Sequence, residues 1–526
     1  VKRSSLKSYL LLITLFAAAA GFRLQRLDLR PMHTDEAVHA VKFGDTLESG
    51  RYRYDPEEYH GPTLYVFSLV PAWILGITKY ESLTEGVLRI VPVCFGLGVV
   101  LLLLLMRRGI GWTAALASGF LTAVSPAMVF YSRYYIQETL FVFFALGLAV
   151  SGYRYALRPG WTWAALSGLF AGLLAATKET WILVFVSFAA AALLAAGPRG
   201  LKANTDRGES GMRLRHGFFF LATALFTAGI LFSSFLTHLQ GIRDSFQTFS
   251  VYLKRASDPV HIHPWYHYFK LLGYSQAPGR PFWSEGSILL LAGIGAAAAF
   301  RRRLAPGVDA GLARFSAFAA LILAVVFSAI PYKTPWNLLI FHQVFILLAG
   351  IGVAVLIHRY RTAKSRMMIA ALLTAGAAHL AWQSMLLNGK YGSDPGNPWV
   401  YSHPGKDLAL IAAEMEKLAS ASPEGHDTPV EIIYPGHEYW PLPWTLRHFS
   451  RTGWFGEVDL TSRAAPVILA SPEAEAGLIR KLYELPPPGK RDLYLPLFDG
   501  YRELRPGAEI CGYVRKDLWD SFQQTL

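Results

Sequence analysis

Two cysteines in 526 residues, Cys94 inside an apolar stretch and Cys511 near the C-terminal end, exclude a disulfide framework and a cysteine metal site. Charge is scarce as well. Charged residues are 17% of the chain against 53% hydrophobic, and the mean hydropathy of +0.30 excludes a soluble multidomain protein. The sequence has no HExxH, no phosphate-cradling GxxxxGK[ST], no GxGxxG after a strand and no GxSxG elbow, so nothing points to a zincin, a nucleotide site or a serine nucleophile. Acids are outnumbered by bases, 37 to 50. In a soluble protein the net charge of +13 would suggest nucleic acid; here Lys and Arg gather in short loops between apolar runs, where they record topology, and no nucleic-acid partner is expected.

What is present is a series of apolar runs near twenty residues long: 9–26, 86–106, 112–131, 139–154, 161–176, 180–196, 217–236, 286–300, 312–330, 338–358 and 368–386. They predict a polytopic α-helical membrane protein with about eleven transmembrane helices. Basic loops follow alternate runs, at 107–108, 154–158, 199–215, 301–303 and 359–366, and with Lys2 and Arg3 they define the cytoplasmic side. The loops 27–85, 132–138, 177–179, 237–285, 331–337 and everything after 387 then lie outside. The N-terminal run resembles a signal peptide with small residues at its end, but is read as a retained anchor, so the protein is expected in the cytoplasmic membrane with a cytoplasmic N-terminus. Residues 63–79 are apolar but follow Pro62 and contain Pro71; they are expected to lie at the outer interface rather than cross.

Beyond 387 the composition changes to a loop rich in Gly, Pro and aromatics, then to mixed patterns. Residues 405–419 and 471–484 predict helices, and 430–434, 466–470, 493–497 and 510–514 predict strands. The expected organisation is a membrane domain over 1–386, whose first external loop 27–85 is catalytic, and a small external α/β domain over 387–526.

Ionisable residues concentrate in 32–62, around Asp35-Glu36 with His33 and His39, closing on Glu57, Glu58 and His60. If Thr34 opens a helix, its hydroxyl can cap the first turn, Asp35 sits at the positive end of the dipole, and His39 lies four residues on. The plain alternative is a solvated acidic loop that caps a helix. Arg133 and Glu138 flank the loop 132–138, where they could simply pair with each other. Lys178-Glu179 sits in a tight turn that leaves two charges little room to escape. The loop 237–285 carries His261, His263 and His267 among Trp265, Tyr266, Tyr268 and Trp283, a pattern closer to an interfacial aromatic belt than to a metal template; Lys333 lies in a similar outer turn.

Asp35-Glu36 after the first span, Glu58-Tyr59-His60-Gly61-Pro62, Ser132-Arg133 with an acid five residues after the arginine, and Lys178 together resemble the GT-C membrane glycosyltransferases, in their protein O-mannosyltransferase and aminoarabinose-transferase (ArnT-like) branch. Gly61 stands where that pattern has a proline, and Glu138 where it has Asp. HTDEAVH, EYHGPTLYVF, SRYYIQETLFVFF, ATKETW, YKTPW, NPWVY and YWPLPW look closer still to the flippase-activity-associated proteins of archaea and some bacteria.

The resemblance implies an inverting glycosyltransferase of GT-C type that moves a sugar from a polyprenyl-phosphate-linked donor to a glycan, lipid or protein acceptor on the outer side of the membrane. Asp35 matches the family's base, with Glu36 and Glu138 as further catalytic carboxylates; His60, Arg133 and Lys178 are the donor phosphate-binding candidates. His33 and His39 stand as a second shell or, with Glu36 and Glu138, as ligands of a divalent metal ion; no other cofactor is implied. Two other classes stay open: a transporter or flippase of lipid-linked sugars, which should show ionisable residues deep in its spans, and a non-catalytic glycan-binding membrane protein, which has no use for an intact Asp35-Glu36.

Overall fold

The structure, a computed structural model, describes residues 2–57, 60–205, 210–255 and 261–523. Glu58 and Tyr59 of the predicted motif, and residues 206–209 of one basic loop, lie outside the described residues.

The helical part runs α1 (Lys2–Leu24), α2 (Thr34–Ser49), α3 (Thr63–Ile74), α4 (Glu85–Leu105), α5 (Arg107–Val124), α6 (Pro126–Tyr131), α7 (Glu138–Leu157), α8 (Trp161–Ala175), α9 (Trp181–Thr205), α10 (Ser210–Phe232), α11 (Gln240–Arg255), α12 (His267–Gly273), α13 (Gly286–Phe300), α14 (Ala310–Ala329), α15 (Leu339–Arg359) and α16 (Ala363–Asn388). Among the described residues six helices are long and apolar enough to cross a membrane: α4, α7, α10, α14, α15 with the turn before it, and α16. Shorter apolar helices accompany them. Helix α3 has 12 residues, roughly 18 Å at 1.5 Å per residue, too short for a hydrocarbon core of about 30 Å.

The predicted run 112–131 is broken in two. Pro126 has no N–H to give and disfavours the helical conformation at Ser125, which takes φ −61°, ψ 122° and caps α6 through its hydroxyl. The groups freed at that break are met by Glu285, whose carboxylate accepts from the Ala127 N–H (2.8 Å), the Ser125 hydroxyl (2.6 Å) and His342 Nε2 (2.9 Å). Three helices are thereby pinned at one buried point. Elsewhere close packing comes from small residues: Gly295 of α13 lies against the Leu348 carbonyl of α15, where any Cβ would collide.

The connections sort into two ends. At one end, Arg30 Nη2 donates to the Arg133 carbonyl, the Gly61 N–H to the Thr177 carbonyl, the His263 N–H to the Pro331 carbonyl, and the Tyr131 hydroxyl to the Trp399 carbonyl. The loops expected outside therefore do share one end. At the other, the Asp309 N–H donates to the Gly109 carbonyl and Arg154 Nη2 to the Leu105 carbonyl, joining the basic loops.

Residues 389–403 pack with the helices: Tyr391 and Trp399 are buried in their core. A separate core begins at Leu408. It is built from α17 (Lys406–Ala421), β1 (Val430–Ile433), α18 (Leu442–Thr445), β2 (Thr452–Phe455), β3 (Val467–Ala470), α19 (Glu475–Ile479), β4 (Tyr494–Pro496), β5 (Arg502–Arg505), β6 (Ala508–Arg515) and α20 (Lys516–Gln523). The sheet order is β2-β1-β3-β6-β4, with β5 on β6; β1 is parallel to β2 and β3, and β6 is antiparallel to β3, β4 and β5. All four predicted strands and both predicted helical stretches are present, the second as a short 3-10 turn, α19 and a wide final turn. This unit sits on the helices through Trp444, whose Nε1 donates to Glu85 (2.7 Å), and through Arg447, whose Nε donates to the Leu83 carbonyl (3.1 Å).

Candidate active site

Helix α2 places the two central carboxylates, and it begins differently from expectation. Thr34 is already in the first turn, so the cap falls one residue earlier, on His33, which is extended at φ −70°, ψ 159°. His33 Nδ1 accepts from the Asp35 N–H (3.0 Å), and the Glu36 carboxylate accepts from the His33 N–H (3.2 Å), a reciprocal capping box with histidine in the usual Ser or Thr position. His33 Nε2 donates to the Tyr401 carbonyl (2.9 Å), which fixes the neutral tautomer; burial holds the ring below the ordinary histidine range.

Adjacent in sequence, Asp35 and Glu36 point into opposite surroundings. Glu36 is fully buried. Arg89 Nε and Nη2 grip both its oxygens (2.8 and 2.7 Å), Arg30 Nη2 adds longer bonds (3.3 Å), and the Tyr135 N–H donates as well (2.9 Å). Burial alone would raise the Glu36 carboxyl, but Arg89 and Arg30 outweigh it and hold it at about 2. The Asp35 side chain is 43% exposed, accepts no hydrogen bond from the described residues, and lies 4.0 Å from His33 Nδ1. A carboxylate left unengaged beside one so thoroughly bound is the site's main asymmetry.

Around Asp35 stand aromatic and imidazole rings. The His33 ring lies 5.4 Å from Tyr134, 4.8 Å from His403 and 6.0 Å from Trp336, edge-on to the last. Tyr401 packs on Trp336 and is hydrogen-bonded to His261. Three buried polar atoms here have no partner among the described residues: Tyr134 Oη, His403 Nε2 and Thr34 Oγ1. Buried polar atoms are nearly always satisfied, so this group leaves hydrogen-bonding capacity unused beside Asp35.

The second cluster pairs across loops rather than within them. Arg133 and Glu138 do not pair. Glu138 instead accepts from Lys178 Nζ (2.6 Å), which also reaches Asn337 Oδ1 (2.9 Å), and Lys178, Glu138, Trp336 and Asn337 line one cavity with Phe141 and Phe327. Trp336 joins this cavity to the His33 neighbourhood. Glu179, next to Lys178, turns the other way to accept from His60 Nδ1 (2.8 Å) and from the Tyr54 hydroxyl (3.3 Å). Burial would raise the Glu179 carboxyl; His60, through its charge and its hydrogen bond, holds it below the usual carboxylate range. Gly61 follows for a steric reason: a Cβ would strike the Ala176 carbonyl, and its N–H donates to Thr177, a bond that proline could not make. His39 bonds Tyr65 Oη (2.7 Å), 6.2 Å ring to ring from His60, and burial pushes it down to about 3. It faces the His60 side of the site, although it follows Asp35 by one helical turn.

Arg133 is directed elsewhere. Its guanidinium donates to the carbonyls of Phe22, Arg23 and Arg26 at the end of α1. A metal ion does not fit the residues proposed for it: both Glu36 oxygens are held by guanidinium groups, both His33 nitrogens are engaged, and Glu138 is paired with Lys178. Among the described residues no group of three or more His, Cys, Asp or Glu side chains is placed to hold one. Sequence reasoning missed Arg30, Arg89, Tyr134, Tyr401 and His403; the signal for Arg89 was a lone arginine in an apolar run.

The family model for dolichyl-phosphate-mannose-protein mannosyltransferase matches residues 68–206. Among solved structures, ArnT from Cupriavidus metallidurans bound to undecaprenyl phosphate superposes with a TM-score of 0.63 at 14% identity, over 95% of this chain and 97% of that one. The fold is the GT-C membrane glycosyltransferase fold. It also extends to the archaeal oligosaccharyltransferase AglB from Archaeoglobus fulgidus, in complex with an inhibitory peptide and a dolichol-phosphate, with a TM-score of 0.54 at 12% identity over 88% of this chain and 69% of that one. A comparison with curated protein sequences finds no match. The matched segment 68–206 contains Arg89, Arg133, Glu138 and Lys178, while Asp35 and Glu36 precede it.

Proposed function

We propose that the chain is an inverting glycosyltransferase that takes a sugar from a polyprenyl-phosphate donor and passes it to an acceptor hydroxyl at the outer face of the cytoplasmic membrane, with the N-terminus in the cytoplasm. The observation that carries this reading is the Asp35–Glu36 pair: one carboxylate immobilised by two arginines, the next unengaged, beside buried polar atoms that lack partners. Support for the donor comes from the relatives, since ArnT and AglB are both described with polyprenyl phosphates, undecaprenyl and dolichyl, and the matching family uses dolichyl-phosphate-mannose.

The chemistry follows from what each group can do. An acceptor hydroxyl is a weak nucleophile, and Asp35 removes its proton as the oxygen attacks the anomeric carbon from the face opposite the phosphate. The carbon–oxygen bond to the phosphate breaks and its electron pair leaves with the lipid phosphate. The donor is a phosphate diester, and the polyprenyl phosphate that leaves is a monoester anion that needs positive charge more than a proton. Lys178 supplies that charge, positioned by Glu138 and Asn337; His60, held by Glu179, is the second candidate. Glu36 holds the catalytic helix on Arg89. The finer likeness, to the flippase-activity-associated proteins, rests on the motifs named above; the acceptor's identity is left open between glycan, lipid and protein. The transport reading gains nothing from Glu285 and His342, which lie inside the bundle but bind each other.

The test is incubation of the purified protein with a synthetic short-chain polyprenyl-phosphate sugar, with and without candidate acceptors. Release of the polyprenyl phosphate with sugar transferred is the expected outcome; an intact donor across sugars and acceptors, from protein that binds it, would remove the reading.

A further inference from the structure

The end of the bundle away from Asp35 carries the basic loops 106–112, 154–160, 301–310 and 358–366, and Asp309 is the one carboxylate in them. Asp309 is already engaged: its Oδ1 accepts from the Leu312 N–H at the start of α14, and its own N–H donates to the Gly109 carbonyl. Every arginine–carboxylate pair among the described residues lies elsewhere in the protein. The positive charge of these loops is therefore not neutralised within them.

Gly111, at φ 78° and ψ 160°, interrupts α5, and the helix restarts at Trp112 with no side chain to cap its first N–H groups. Beside this break lies a cavity of about 450 Å³, a size that falls among ligand pockets of about 300–1,000 Å³. His358, Arg361 and Arg366 supply its charge; Trp112 and Ile357 supply much of its apolar surface. Arg107 stacks on the Trp112 ring, 5.6 Å from its centre, and brings a third guanidinium to the same place. Helix α16 begins here and stands clear of its neighbours, since of residues 363–379 only Ile369 is buried. From Arg366 the exposed Met367, Met368 and Leu372 continue along it as apolar surface.

We propose that this cavity binds the headgroup of an anionic phospholipid, its phosphate on Arg361 and Arg366 and its acyl chains along the first half of α16. Guanidinium groups present paired N–H donors that match phosphate oxygens, and basic pockets between transmembrane helices suit such headgroups. Free phosphate shares the oxyanion. What favours the lipid is the apolar surface that runs from the cavity onto α16, where an ion alone has nothing to bind. A bound headgroup ties the loosely packed start of α16 to α5 and α15. The site lies at the opposite end from Lys178, takes a membrane lipid rather than the sugar donor, and does not depend on the transfer reaction.

The test measures binding, so it stands or falls separately from the transferase reading. The full-length protein in neutral detergent is titrated with short-chain phosphatidylglycerol, short-chain phosphatidylcholine and inorganic phosphate, the readouts being native mass spectrometry and thermal unfolding. One variant combines Arg361→Gln with Arg366→Gln, both exposed side chains. Thr113→Glu, separately, places a carboxylate at the exposed first turn of the restarted helix and leaves both arginines in place. Arg302→Gln, an exposed arginine of the same end that does not line the cavity, is the control. Phosphatidylglycerol is expected to bind wild type and Arg302→Gln alike and to raise their melting temperatures. It should bind the double variant and Thr113→Glu at least about tenfold more weakly, a loss of about 1.4 kcal/mol. Wild-type affinity in both of these folded variants would overturn the site, and so would an equal loss in Arg302→Gln, which would reduce the effect to the charge of the whole end. Phosphatidylcholine binding as tightly as phosphatidylglycerol would overturn the anionic headgroup, and inorganic phosphate binding as tightly would overturn the lipid as its source.

Discussion

At one end of the bundle Arg107, Arg108, Arg158, Arg301, Arg302, Arg303, Arg359 and Arg361 stand exposed, while at the other Glu36, Arg89, Glu138, Lys178, Glu179 and Lys333 are buried and bonded. All of these but Arg89 were visible in the sequence as charges near apolar runs, and the two sets do different work. An exposed arginine is nearly free to keep and records which loops share a side. A buried charge costs several kcal/mol to desolvate and persists where geometry has to be held. The second end is therefore where chemistry is to be sought.

The sharpest break of this comparison is at its centre. Glu36→Gln leaves Arg89 buried without its counter-charge and is expected to destabilise the protein by about 3–5 kcal/mol, read as a fall in thermal unfolding in detergent. An unchanged melting temperature would mean that the buried end is no more demanding than the exposed one. Acid probes the same region more gently. The Glu36 carboxyl is held at about 2 and His39 at about 3, both below their unfolded values, so the unfolded chain binds more protons and stability falls with falling pH. The loss is expected to begin below about pH 6.5 through His39 and to deepen below about 4.5 through Glu36. His39→Gln should reduce the first part of a melting-temperature profile, to which the buried His33 and His403 also contribute, and leave the second; an unchanged profile would contradict the His39 assignment.

How much of this could be read beforehand differs between the regions. The two ends were legible because basic loops alternate, and Asp35-Glu36 stood out by charge density. Arg89 did not, because one arginine is averaged away in an apolar run, although it is the main partner of Glu36. His403 and Tyr401 reach the site from a loop more than 360 residues away, which local pattern cannot foresee. Strands β2 and β5 were missed for another reason: TGWF and RELR are short, with little buried surface, and β5 pairs only with β6, so neither shows strand alternation. The cap fell on His33 rather than Thr34 because a histidine nitrogen can stand in for a hydroxyl oxygen when its ring is held from behind, here by Tyr401.

Smaller effects sharpen the contrast. Tyr134→Phe removes a buried hydroxyl that has no partner, so stability should hold or rise slightly while KM for the donor or acceptor rises about tenfold, one hydrogen bond's worth. A fall in stability without a kinetic change would make Tyr134 part of the packing instead. The smallest effect belongs to the other end: Arg302→Gln should change stability by less than about 0.5 kcal/mol and leave transfer untouched, checked by the same melting and transfer assays.

The central claim is that Asp35 is the base and Glu36 its support, and one assay addresses it: transfer of a labelled sugar from a synthetic polyprenyl phosphate by wild type and Asp35→Asn in detergent. The substitution keeps the shape, removes the proton acceptor and disturbs no hydrogen bond of the exposed Asp35 carboxylate, so the melting temperature should be unchanged while turnover falls by a factor on the order of a hundred to ten thousand. Transfer by Asp35→Asn at the wild-type rate would contradict it.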